Sequence, residues 1–119
     1  MKHKNVFESA LTAWQGLVFA LRRQRSVRTI AVIALIVTAV SFFLKLSPAE
    51  YMILTVTIML VFITELLNSG LEYTIDLVTE DYHDLAKAAK DVAAAAVLLA
   101  CANAVIIGAI WLLGRLGWI

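Results

Sequence analysis

The stretch YMILTVTIMLVFITELLNSGLEYTID, residues 51–76, is apolar for its first half and then turns polar without losing helical period. Tyr51–Ile63 has the composition of a membrane helix. Glu65, Asn68, Ser69, Glu72 and Asp76 follow at offsets of 0, 3, 4, 7 and 11. At about 100° per residue, all five fall within roughly 60° either side of one line on a helix. A carboxylate at bilayer depth costs at least a few kcal/mol, so three on one stripe demand a purpose.

The flanking sequence extends this helix. Ser47 and Pro48 have the character of an N-cap and a first helical position, and the pattern stays helical through about Val78. That is roughly 30 residues, or about 45 Å, longer than a bilayer core requires, so the far end should emerge into water. A second apolar span is expected over about 29–46, barely long enough to cross. A third is expected within 84–113, its fully apolar part running from Val92 to Leu113. The residues Thr79–Asp91 form the polar connection before that third span. Its small residues Ala93, Ala96, Ala100, Ala104 and Gly108 recur three or four apart and suit close helix packing.

The N-terminal region, about 5–25, has a different pattern. Phe7, Leu11, Trp14, Leu17, Val18 and Leu21 define one face, with Glu8, Thr12, Gln15 and Arg22 between them. Such a helix lies in the membrane interface rather than across it. The 119 residues are therefore expected to be one all-α membrane domain, a surface helix plus three spans.

Composition agrees. The chain is 62% hydrophobic and 16% charged, with a mean hydropathy of +0.89, well above the apolar share of soluble proteins. A net charge of +1 argues against nucleic acid, which would call for a concentrated basic surface. Cys101 is the single cysteine and sits in an apolar run, as a packing residue does. No signal peptide is evident at the start. Lys2, Lys4, Arg22, Arg23, Arg25, Arg28, Lys87 and Lys90 fall on one side, against Lys45 and Arg115 on the other. This bias places the N-terminus and the polar connection in the cytoplasm. Trp111 and Trp118 are expected as interfacial anchors, and His3 and His83 as solvated residues.

Stacked carboxylates can hold a divalent cation, and one could serve as a general base. With Lys90, Asp91 and the arginines at the same membrane edge, the arrangement suits phosphoryl transfer. No Walker or kinase Gly-rich loop is present. A small proton or ion conductor, or a non-catalytic membrane partner, are the competing readings. Against conduction, the stripe runs toward the cytoplasm rather than across the bilayer.

The run Glu65-Leu-Leu-Asn-Ser-Gly-Leu-Glu-Tyr-Thr-Ile-Asp76 resembles the signature Glu-x-x-Asn-[Ser/Thr]-[small]-x-Glu-x-x-x-Asp of the prokaryotic diacylglycerol kinase family. Tyr82-His83-x-Leu85 and Ala89-Lys90-Asp91 before an Ala-rich helix are similar to it too. The family includes diacylglycerol kinases and undecaprenol kinases. The resemblance implies a homotrimeric kinase of the bacterial inner membrane with composite sites between subunits, using ATP and Mg²⁺ on diacylglycerol or undecaprenol. It implies Glu65 as general base, with Ser69 beside the lipid, and Glu72 as metal ligand. Asn68, Glu72, Asp76, Lys90, Asp91 and Arg28 would contact nucleotide. Where the family commonly carries a second metal-binding glutamate, this chain has Gln24, which keeps an oxygen ligand and loses the charge. The local Arg25-Ser26-x-Arg28 leans toward the undecaprenol-kinase-like branch.

Overall fold

The computed structural model describes residues 5–119; His3, Lys2 and Lys4 lie outside the described residues. The described chain is helical: α1 (Val6–Arg23), α2 (Arg25–Ser41), α3 (Pro48–Val78) and α4 (Asp84–Arg115).

Local chemistry sets the boundaries. The Asn5 side chain accepts from Glu8 N at 2.8 Å, and Glu8 places a negative charge in the first turn of α1. Ser47 and Glu50 form a reciprocal capping box at the start of α3, with Pro48 in its first turn. His83 is an N-cap rather than a merely solvated loop residue, since its Nδ1 accepts from Leu85 N at 3.1 Å. Helix α4 consequently starts at Asp84, and the connection expected over Thr79–Asp91 shrinks to Thr79–His83. The charged residues from Asp84 to Asp91 are good enough helix formers to extend α4 by two turns.

The surface helix expected over about 5–25 and the span expected over about 29–46 meet earlier than composition indicates. Gln24 ends α1 and begins α2 in one extended residue, at φ −108° and ψ 115°. The chain axis turns there by 103°. Helix α2 begins at Arg25 and ends at Ser41. Beyond it the backbone tightens, with Phe42, Phe43 and Leu44 bonding to carbonyls three residues back. Lys45 at φ 51° then breaks the helical path. Helices α3 and α4 are each long and apolar enough to cross a membrane, and the bent α1–α2 pair makes three if it forms one span.

Helix α4 packs along α3, α2 lies against α3, and α1 touches both at the corner. Helices α2 and α4 do not pack on each other. An apolar groove of about 770 Å³ opens between them, with Ile30, Val37, Ile53, Val61, Ala104 and Ile107 in its walls. The small-residue face of α4 borders α3, with Ala100 buried; Ala96 and Gly108 on the same stripe are exposed. Among the described residues, the buried apolar side chains are Ala20, Val27 and Ala100, whereas the buried polar ones are Ser41, Thr57, Glu65, Asn68 and Ser69. This inversion is expected where lipid, not water, surrounds the helices and polar groups seek one another inside.

At the end of α3 opposite the polar stripe, Glu50 ties three segments together. Its carboxylate accepts from Trp111 Nε1 and from Arg115 at 3.4 Å, and Arg115 also donates to Lys45 O at 3.4 Å. The Arg115 guanidinium lies 5.2 Å from the Trp111 ring centroid. Trp111 is thus half-buried and hydrogen-bonded, more than the free interfacial anchor its position suggests, while Trp118 is exposed.

Candidate active site

The site grows from the α1–α2 corner and the face of α3 that it covers. Glu65 stands in the middle of α3 and is only 6% exposed. Its Oε1 accepts from the Ser26 hydroxyl at 2.5 Å, a length typical of a hydroxyl bound to a carboxylate. Ser26 belongs to the first turn of α2. That helix has no acidic residue in its first turn and no side-chain cap. The Glu65 carboxylate, delivered from α3, brings negative charge to that positive helix end.

One turn on, Asn68 Nδ2 donates to Glu72 Oε1 at 3.4 Å. Asn68 Oδ1 and Ser69 Oγ are buried without a hydrogen-bond partner among the described residues. Buried polar atoms of this kind are rare and expensive, so both are prepared to meet a ligand or another chain. Further along, Asp76 Oδ1 accepts from Lys90 Nζ at 2.7 Å, an ion pair linking the end of α3 to α4. Asp91 turns away to pair with Lys87 at 2.5 Å on an exposed face of α4. Neighbours on a helix stand about 100° apart, which separates the adjacent Lys90 and Asp91.

The corner itself is braced. Arg28 Nη1 donates to Leu21 O at 3.1 Å and Arg22 O at 2.9 Å, satisfying carbonyls in the last turn of α1. Phe19 of α1 meets Tyr73 of α3 edge-on with ring centroids 5.6 Å apart, and Arg23 lies 5.6 Å from the Phe19 centroid. Arg28 thus serves the corner. Its polar contacts do not join it to Glu65, Glu72 or Lys90. Gln24 sits half-buried at the bend, and its side chain makes no capping bond.

For a divalent cation, the described residues contain no group of three His, Cys, Asp or Glu side chains able to hold a metal. The available donors are the Glu72 carboxylate and the unpartnered Asn68 Oδ1; the Gln24 amide oxygen, which the family resemblance adds, makes no hydrogen bond to either. This hard, sparse oxygen set fits Mg²⁺, which keeps waters and takes one or two carboxylates together with substrate phosphates.

Apolar helices, a polar stripe with one buried carboxylate and a lysine–aspartate pair suit a membrane phosphotransferase of the lipid-kinase type. Comparison with known proteins agrees. A family profile described as prokaryotic diacylglycerol kinase matches residues 11–112. A diacylglycerol kinase of Synechocystis is 43% identical over 110 residues, covering 92% of this chain but only 63% of that protein. An undecaprenol kinase of Bacillus subtilis is 39% identical over 110 residues, covering 92% and 89%. A diacylglycerol kinase of Escherichia coli is 33% identical over 112 residues, covering 94% and 92%. The chain belongs to the prokaryotic diacylglycerol kinase family, bacterial membrane proteins that are lipid kinases.

Three contacts lay outside the reach of sequence reasoning. Ser26 was one letter of a basic segment, and nothing in its spacing points to a helix 39 residues away. The link from Glu50 to Trp111 and Arg115 likewise joins residues more than 60 positions apart. A buried carboxylate always needs a donor, and that need was the available signal.

Proposed function

We propose that the chain transfers the γ-phosphoryl group of ATP to the primary hydroxyl of a membrane lipid alcohol, diacylglycerol or undecaprenol. The products are phosphatidic acid or undecaprenyl phosphate, and ADP. The observation that carries this reading is Glu65: a carboxylate buried in an apolar helix and held by one hydroxyl, one turn from the apolar groove at Val61.

Glu65 accepts the proton of the lipid hydroxyl as its oxygen attacks the γ-phosphorus, and the bond to the ADP oxygen breaks. Ser69 lines the lipid side. Lys90 offers positive charge to phosphate oxygens once its ammonium leaves or is shared with Asp76. Asn68, Asp76 and Arg28 complete the nucleotide side, with Asp91 at its edge. Glu72, Asn68 Oδ1 and Gln24 would hold Mg²⁺, which when bound neutralises charge on the β- and γ-phosphate oxygens. The protein works in the bacterial inner membrane as a homotrimer, its N-terminus and site at the cytoplasmic face. Exposed Phe7, Leu11 and Trp14 support α1 as a helix lying in the interface.

The test is transfer of labelled phosphate from ATP to each lipid in parallel. Wild type is expected to label one or both, and Glu65→Gln to assemble normally without transfer. Normal turnover by Glu65→Gln would sink the assignment of the base.

A further inference from the structure

We propose that Ser26 is the positioning residue for Glu65: its hydroxyl pins one carboxylate oxygen so that the other faces the lipid hydroxyl. The proposal rests on the reading of Glu65 as base.

Four observations converge. The Ser26–Glu65 hydrogen bond, at 2.5 Å, is the one polar contact of the Glu65 carboxylate among the described residues. Glu65 has three rotatable side-chain bonds, so without it the packing alone would set which oxygen points where. Ser26 is itself fixed. Val27 beside it is 0% exposed, and Arg28 two residues on is tied to the last turn of α1. These contacts hold the first turn of α2 against α1. Finally, α2 presents its positive end to this carboxylate with no acid or side-chain cap of its own. Hydroxyl and helix end both favour one orientation of the Glu65 side chain.

The consequence concerns the chemical step. Oε1 is occupied as an acceptor from Ser26, and Oε2 is left to take the proton. A base displaced by about 1 Å can lose 100-fold in rate, so holding Oε2 acts on turnover rather than on nucleotide affinity. Because Ser26 acts through Glu65, it is a positioning residue rather than a catalytic one.

The experiment compares the full chain with Ser26→Ala, Ser26→Thr and Glu65→Gln in lipid bicelles, measuring kcat and KM for Mg·ATP and for the lipid. Ser26→Ala is expected to keep its oligomeric size and both KM values within about twofold, and to lose on the order of tenfold in kcat. Ser26→Thr keeps the hydroxyl and is expected to restore most of that loss. Ser26→Ala with wild-type kcat, alongside an inactive Glu65→Gln, overturns the positioning role and leaves the base intact. Ser26→Thr as slow as Ser26→Ala also overturns it, because the hydroxyl would then not be what matters. An active Glu65→Gln removes the base reading and this proposal with it.

Discussion

At the scale of single residues, the polar stripe divides into groups that are satisfied and groups that wait. Glu65 has Ser26, and Asp76 has Lys90. Asn68 Oδ1 and Ser69 Oγ have nothing within the chain. The weakest bond, Asn68 to Glu72 at 3.4 Å, lies where Mg²⁺ is expected, so the cation would not have to break a strong contact to enter. Lys90 is different, since in the proposed role it would have to leave or share Asp76 to reach phosphate. Both partners are about half exposed, so solvent screens the pair and it can open at little cost. Lys90→Ala is expected to raise the KM for Mg·ATP on the order of tenfold, as loss of one charged contact to phosphate does. Lipid KM should stay near wild type. Steady-state kinetics with each substrate varied in turn measures this; an unchanged ATP KM would place Lys90 outside the nucleotide site.

At the scale of elements, the corner between α1 and α2 decides where the site is. Neither proline nor glycine marks it; one extended residue, Gln24, turns the axis by 103°. Arg28 closes the turn by reaching back to two carbonyls of α1. Arg28→Ala is expected to lower stability by about 1 kcal/mol, near the value of a pair of exposed hydrogen bonds. Thermal unfolding in detergent without nucleotide reads this directly. An unaltered melt would mean that Arg28 acts only on nucleotide. Much of the element plan was legible: Ser47, Pro48 and the helical phase of Glu65–Asp76 define α3 from local chemistry alone. The corner was not, because Gln24 carries no breaker signal and an apolar run cannot reveal which residue takes the extended conformation. The start of α4 at residue 84 agrees with the expected 84–113 span, while the cap through the His83 ring nitrogen that sets it was not legible. Contacts such as Ser26 to Glu65 depend on how α2 leans on α3, which periodicity does not encode.

At the scale of the whole molecule, we propose that two copies of the chain share each site. Asp76 lies 11 residues beyond Glu65 on α3, which is about 16 Å of rise. Lys90, held at Asp76, therefore stands about three turns from the base. A base and a phosphate clamp acting on one phosphorus must come within a few ångströms of it. A neighbouring copy could instead bring a second Lys90 to Glu65. In a closed symmetric oligomer every site would be identical, each taking Glu65 from one chain and Lys90 from the next. This is testable by mixing subunits. Glu65→Gln and Lys90→Ala chains, each impaired alone, are unfolded together in equal amounts and reassembled. Sites shared between chains are expected to recover toward about a quarter of wild-type activity, since each site draws its two residues independently. Sites built within one chain would show no recovery above the average of the two parents. That outcome would require Lys90 to leave Asp76 and reach along α3 by itself.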